Sequence, residues 1–370
     1  MQEKPYDSVL DLIGSTPLVR LRKSLEKVPA GQWLRGRLPS ATSHTIRSEV
    51  FAKVEYLNPG GSVKDRIARC IVESAERQGL LKPGGTIVEA TSGNTGAGLA
   101  LVAAVKGYKC VFVMPDKMSA EKINALRAYG ARVVITPLVE PDHPDYYCNV
   151  AKRLSKEISG AFLANQYFNP DNPRAHEEST GPEIWSQMQG KLDLFVAGLG
   201  TGGTFTGTTR YLKKKHSGMK AVGVDPVGSI YYGMVREKKP SEAGSYLTEG
   251  VGEDMMPGTV DLSLCDDCVQ VNDDEAFGAT RMLAQKEGLL VGGSCGMAFY
   301  GLAQYLMLHE LQGGAPLRAT VILPDSGSRY LSKVFNSPWL EKNNLKAGWG
   351  DAAFTGDVVY QGAARRVEGV

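Results

Sequence analysis

Through the middle and end of the chain, short apolar runs alternate with longer stretches whose apolar residues recur at helical spacing. Residues 86–89 read as a strand, 95–106 as a helix, 110–114 as a strand, 119–129 as a helix and 131–136 as a strand. The alternation resumes with a strand at 192–197, a helix at 204–215 and a strand at 221–224. Helices at 273–287 and 297–311 and a strand at 320–323 complete it. Strands separated by helical stretches predict βαβ units, and so an α/β fold of mostly parallel sheets with helices on both faces. Such sheets take ligands beyond the carboxyl ends of their strands. Glycine clusters fall at those ends: TSGNTG (91–96), GLGTGG (198–203) and GGSCG (292–296). Residues 24–48, with Pro29, Gly31, Gly36 and Pro39, read instead as a long loop. The tail beyond Lys342 lacks periodicity and is expected to be loosely attached.

Composition narrows the partners. Lys and Arg number 42 against 40 Asp and Glu, a net charge of +2, which gives no field to draw in nucleic acid or anionic lipid. Small-molecule ligands are therefore expected. The apolar run at 97–105 is well short of the ~20 residues that a membrane span needs. The opening MQEKPYDSVLDLIG has no apolar signal core, so a cytoplasmic protein is expected. Among six cysteines only Cys265 and Cys268 form a C-x-x-C pair. No second ligand pair accompanies them, so reduced thiols are expected and no metal site is assigned.

The glycine clusters carry the chemistry. GLGTGG follows a strand, opens a helix and has Asp225 about 20 residues on, which is the spacing of a dinucleotide fingerprint. The physics beneath that pattern is more general: small residues let backbone N–H groups and a helix dipole meet a phosphate. A nicotinamide-dependent dehydrogenase is one reading of it. Gly292-x-Ser294-x-Gly296 matches a hydrolase nucleophile elbow between a strand and a helix, but no histidine follows Asp325 to complete the usual order Ser, Asp, His. TSGNTG suits either a helix cap or a small carboxylate. NPGGSVKDR (58–66) runs into a helix whose first turn holds Lys64, with Ser62 and Asp65 spaced as a capping box. A helix dipole supplies about 0.3–1 kcal/mol against a cation there, less than the 1.36 kcal/mol of one pKa unit. Burial or covalent chemistry would have to complete any change in that amine.

Taken together and in this order, the clusters resemble the fold-type II pyridoxal 5′-phosphate (PLP) enzymes, the β-family of cysteine synthase and cystathionine β-synthase. The resemblance runs from about Leu10, through IGSTP, to about Leu340, and includes "EATSGNTGAGLALVAAVKGYKCVFVMPDKMSAEKINALRAYGA", "ANQYFNP", "GVDPVGSI", "EGVGED", "EGLLVGGSCGMA" and "LPDSGSRYLSKVF". It implies a two-domain, tryptophan synthase β-like fold: a smaller domain at 51–168, a larger one at 10–50 plus 169–340, and a tail at 341–370. It also implies that Lys64 bonds the cofactor as a Schiff base and that Asn94 meets its phenolic oxygen. Gly200, Thr201, Gly202, Gly203 and Thr204 would hold its phosphate, and Ser294 would meet the pyridine nitrogen. Thr91, Ser92, Thr95 and Gln166 would receive a substrate carboxylate. Glu249, Gly250 and Gly252 would serve the second substrate.

The implied reaction joins L-serine and L-homocysteine into L-cystathionine and water by way of an aminoacrylate, a step of transsulfuration. Cysteine synthesis from O-acetylserine and sulfide is the alternative. A homodimer follows from the same resemblance. The chain departs from the family at Glu253, where many cystathionine β-synthases have Tyr after the E-G-[IV]-G loop. A haem-binding extension and C-terminal tandem regulatory domains are not expected, and 24–48 is longer than the family's connection.

Overall fold

The computed structural model describes residues 5–26, 28–29, 43–91, 93–116, 120–140 and 142–346. Twelve strands are found among them: β1 (Leu18–Leu21), β2 (Val28–Pro29), β3 (Ser43–His44), β4 (Glu49–Val54), β5 (Thr86–Ala90), β6 (Lys109–Pro115), β7 (Arg132–Thr136), β8 (Ala161–Leu163), β9 (Leu194–Gly198), β10 (Lys220–Pro226), β11 (Asp267–Val271) and β12 (Arg318–Leu323). They form a six-stranded sheet in the order β1-β4-β12-β9-β10-β11 and a four-stranded sheet in the order β7-β6-β5-β8. Every pairing in these two sheets is parallel except β1 with β4. Strands β5, β6, β9, β10 and β12 are buried along almost their whole length, as expected where helices cover both faces.

Strand β4 belongs to the six-stranded sheet throughout, pairing Phe51–Val54 with β12. A boundary at residue 51 therefore cuts a strand of the larger sheet. The cause is topological: a segment early in the chain is inserted between β1 and β12. The long-loop reading of 24–48 also changes, because its base holds a two-residue antiparallel ladder, Val28 with His44 and Pro29 with Ser43. The strand expected before Ser294 is only a single bridge, Val291 with Ser326.

The helices that position the site are α1 (Lys64–Arg77), α2 (Asn94–Lys106), α3 (Ala120–Ala128), α4 (Tyr147–Glu157), α5 (Asp171–Ala175), α6 (Gly181–Gln187), α7 (Gly203–Lys215), α8 (Tyr231–Arg236), α9 (Asp273–Glu287) and α10 (Gly293–Leu311). Helix α9 opens with a reciprocal capping box between Asn272 and Glu275 and closes on Gly288 at φ 71°, which fixes both of its ends. Helix α10 is apolar nearly all round, and Met297, Phe299, Leu302 and Leu306 are fully buried. Such a helix is a core element, so Ser294 in its first turn is held on a rigid support. No helix among the described residues is long and apolar enough to cross a membrane.

A buried ionic cluster fastens the start of α1 to the larger sheet. The Arg66 guanidinium donates to both oxygens of Glu55 at 2.7 and 2.8 Å, and to both oxygens of Glu183 on α6 at 2.7 and 2.8 Å. Lys53 of β4 reaches Glu183 at 2.7 Å, and the Thr16 hydroxyl donates to Glu55 at 2.6 Å. Lys64 lies two residues from this anchor.

Candidate active site

Lys64 is the first residue of α1. The capping box expected at Ser62 and Asp65 does not form. The Asp65 carboxylate instead accepts from the Gly60 N–H at 2.6 Å, and the Ser62 hydroxyl accepts from the Lys64 N–H at 3.3 Å. The glycine loop curls back toward the helix, and that takes Asp65 away from the Ser62 amide. Among the described residues the Lys64 amine makes no hydrogen bond and no ion pair. Burial lowers its pKa, while Asp325 and Glu253 pull it the other way. The amine therefore reaches its neutral form at a lower pH than a solvent-exposed lysine does.

Lys64 lines a cleft with Gly198, Gly200, Thr201, Gly202 and Thr204, closed on another side by Gly250 and Val251. The turn from β9 into α7 needs its glycines. Gly202 adopts φ +81°, and a Cβ there would lie 2.4 Å from Val260; at Gly203 it would lie 1.9 Å from Asn172 Oδ1. Helix α7 has no side-chain cap, so its first-turn N–H groups face the cleft without the partner that a cap supplies. Uncapped N–H groups, a helix dipole and a loop with no side chains in the way together fit a phosphate.

Several residues without a motif support this loop. Asn172 Nδ2 donates to Thr201 Oγ1 at 3.1 Å and to the Gln166 carbonyl at 2.8 Å. The Tyr231 hydroxyl donates to the Gly200 carbonyl at 2.6 Å, and the Thr259 hydroxyl to the Thr201 carbonyl. His176 opens a single π-helical turn, His176–Thr180, with ring nitrogens 2.9 Å from Thr180 Oγ1 and 3.2 Å from Thr204 Oγ1. Burial, reinforced by the charge of Arg66, pushes its pKa down to about 3. The ring is thus neutral and bridges two hydroxyls rather than carrying charge.

The residues expected around a ring and a carboxylate gather nearby. Asn94 opens α2; its amide donates to Asp325 at 2.8 Å and accepts from Arg329 at 2.6 Å. Thr91 Oγ1 accepts from the N–H groups of Gly93 and Gly96 at 3.3 and 3.1 Å, and the Thr95 hydroxyl donates to Gln166 at 2.6 Å. Ser92 lies outside the described residues. A Cβ on Gly98 would be 2.9 Å from the Lys64 carbonyl, so the start of α2 packs directly on the start of α1.

Ser294 is only 4% exposed, and its hydroxyl has no hydrogen bond to another described residue. Glu249, at the rim, is held by ion pairs to Lys122 and to Lys333, the latter at 2.6 Å. Gly250 and Gly252 both take positive φ. Asp225, the acidic residue of the dinucleotide spacing, accepts from the Tyr232 N–H at 2.8 Å and so serves the turn into α8. Cys268 is buried and Cys265 donates to the Asp267 carbonyl; both are free thiols.

The short segment 324–326 joins these parts. The Pro324 carbonyl accepts from the Val63 N–H at 2.8 Å, Asp325 bridges to Ser62, and Ser326 bridges to Val291. The Asp325 carboxylate, buried and raised in pKa by that burial, also accepts from the Tyr330 hydroxyl at 2.6 Å. The loop that bears Lys64 and the turn that bears Ser294 are therefore stitched to one strand end. An amine without a partner, an uncapped phosphate-type loop and a serine hydroxyl without a hydrogen-bond partner among the described residues are the donor set that a phosphorylated aldehyde with a ring nitrogen would use. The residues present fit that group.

Residues 9–325 match a family model described as pyridoxal-phosphate dependent enzyme. A cystathionine beta-synthase of Mus musculus is 46% identical over 345 residues, 93% of this chain and 58% of the mouse protein. The chain thus spans less than two thirds of that relative. A cysteine synthase of Staphylococcus aureus is 42% identical over 90% of this chain and 97% of its own length. Among solved structures, an O-acetylserine dependent cystathionine beta-synthase from Helicobacter pylori superposes with a TM-score of 0.76 at 36% identity, covering 89% of this chain and 98% of that one. With the family model matching most of its length, the chain belongs to the pyridoxal-phosphate dependent enzymes.

Proposed function

We propose that the chain catalyses β-replacement on an amino acid, joining L-serine to L-homocysteine to give L-cystathionine and water. The observation that carries this reading is the Lys64 amine, lowered in pKa and without an ion pair, on the wall of the phosphate-type loop. Pyridoxal phosphate, when bound, supplies an aldehyde for an amine and a ring that draws electrons from the amino acid's α-carbon. The chain's own residues do the rest. The N–H groups from Gly200 to Thr204 hold the phosphate, with Asn172 and His176 fixing the Thr201 and Thr204 hydroxyls. Asn94, itself oriented by Asp325 and Arg329, meets the phenolic oxygen, and Ser294 meets the ring nitrogen. A neutral hydroxyl at that nitrogen cannot hold it protonated as a carboxylate would, which favours β-replacement over transamination.

Thr91, Ser92, Thr95 and Gln166 receive the substrate carboxylate. The Lys64 amine would remove the proton from the α-carbon and later return it. Glu249, Gly250 and Gly252 border the side from which the thiol arrives. A cytoplasmic homodimer completes the proposal.

The second reading is cysteine synthase, favoured by the near-complete match to the length of the Staphylococcus aureus enzyme. Steady-state assays decide between the two. The holoenzyme is expected to turn over serine with homocysteine at least as efficiently as O-acetylserine with sulfide. Negligible turnover of the first pair alongside good turnover of the second would transfer the assignment to cysteine synthase. The phosphate site has its own test. Gly203→Ala drives a methyl into Asn172, an overpacking cost of about 1–3 kcal/mol, and is expected to weaken cofactor affinity about tenfold, since 1.4 kcal/mol is a factor of ten. Absorbance titration of the apoenzyme with pyridoxal phosphate measures it; unchanged affinity would remove the phosphate from this loop.

A further inference from the structure

Glu253 has no task in the reading above, and its position suits one. Its backbone is fixed in both directions: its N–H donates to Ser229 Oγ at 3.0 Å and its carbonyl accepts from the Ile230 N–H at 3.1 Å. One residue earlier, the Gly252 N–H donates to the Leu199 carbonyl at 2.6 Å, beside the phosphate-type loop. Gly250 and Val251 line the cleft with Lys64, and the Glu253 carboxyl follows two residues on.

That carboxyl and the Lys64 amine each feel the other's charge, yet they are too far apart to form an ion pair. Among the described residues no hydrogen bond reaches the Glu253 carboxyl. Tyr167, Tyr231, Tyr246, Tyr146 and Cys148 all lie within reach of its charge. Its charged neighbours besides Lys64 are Asp254 on its own loop and Asp225 at the end of β10. Burial first, then Asp254, raises its pKa to about 8, with Lys64 opposing. Burial thus favours the protonated form of a carboxyl that lies within reach of the amine's charge.

β-Replacement from serine needs such a group. Lys64 is occupied with the α-proton, and hydroxide is a poor leaving group unless its oxygen is protonated as it departs. We propose that Glu253 is the acid that protonates the β-oxygen of serine. As the Cβ–O bond breaks, its electron pair leaves with oxygen, which gains the Glu253 proton and departs as water. Solvent then returns a proton to the Glu253 carboxylate, and no oxidant or reductant is required. This inference rests on the β-replacement reading and deepens it by assigning serine as the donor that this chain is built to use.

The test compares two donors with one thiol. Acetate leaves without a proton, so O-acetylserine is an internal control for folding and cofactor loading. With homocysteine as acceptor, Glu253→Gln is expected to lose about 100-fold or more in kcat/KM for serine, while O-acetylserine changes by less than about threefold. In the wild type, serine turnover should fall above about pH 8 with no matching limb for O-acetylserine.

A second readout needs no turnover. The wild-type-minus-variant infrared spectrum should show the C=O band of a protonated carboxyl that titrates near pH 8; Glu89, also raised to about 8 by burial, cancels in the difference. Equal losses with both donors, an unchanged serine rate or no such band would overturn the proposal. Wild-type turnover of O-acetylserine but not serine would also overturn it while leaving β-replacement intact. Turnover of neither donor would end both.

Discussion

Lys64→Ala is expected to reduce turnover by about 10³-fold or more, since a positioned acid–base group alone contributes about 10²–10⁴-fold. Borohydride should fix pyridoxal phosphate to the wild-type chain and not to the variant. Because the loop from Gly200 to Thr204 and its supports Asn172 and His176 are untouched, the variant should still take up the cofactor without a covalent bond. Absorbance after gel filtration distinguishes these states. Turnover within tenfold of wild type, or borohydride labelling retained in the variant, would remove Lys64 from its proposed role.

The largest effect on stability is expected from Arg66→Ala. Glu55 is fully buried, and the Arg66 guanidinium donates to both of its oxygens and to both of those of Glu183. Removing one partner of a buried pair leaves the other charge uncompensated, at a cost of about 3–5 kcal/mol. The urea midpoint should fall accordingly, and a change under about 1 kcal/mol would mean the cluster carries little.

The pH dependence has a definite sign. Burial raises the pKa of Glu183, but the hydrogen bond and charge of Arg66, with Lys53, outweigh it and bring the carboxyl down to about 2, against about 4.3 for an unfolded chain. A depressed carboxylate stabilises the fold above the unfolded pKa and loses that contribution as pH falls through the folded value. Wild-type stability should therefore decline between about pH 4.5 and 2, and Arg66→Ala should flatten that decline.

Much of this architecture was legible because local and global signals agreed. Helix α9 has the bounds its periodicity predicts, 273–287, and Asn272 with Glu275 at its start and Gly288 at its end are the caps that fix them. Helix α10 was read four residues late: its first turn, Gly293-Ser294-Cys295-Gly296, has the composition of a loop and is helical only because the core around it is closed. Strand β4 escapes the sequence reading because Glu49 and Lys53 interrupt its apolar pattern, and Lys53 is tolerated inside through Glu183, Gln187 and the Thr16 carbonyl.

At the site, Lys64 and the glycine loop announce themselves through residue type and spacing. Asn172, His176, Asp325 and Arg329 do not, because each acts through a partner distant in sequence. The π-turn that sets His176 against Thr204 carries no pattern at all. Glu253 stood out in the sequence as a departure from a family pattern, but its electrostatic setting with Lys64 and the tyrosines exists only in three dimensions.

The way 324–326 ties the Lys64 loop to the Ser294 turn has a consequence for how the protein is made. Strand β4, just before Lys64, pairs with β1 on one side and with β12 on the other, and β12 follows every other strand of the two sheets in chain order. Contacts this distant in sequence close slowly. The four-stranded sheet, drawn from one contiguous stretch, can assemble while synthesis continues. The lysine that defines the cleft waits for β12, so a nascent polypeptide stopped before that strand would present a folded small sheet and no cofactor site.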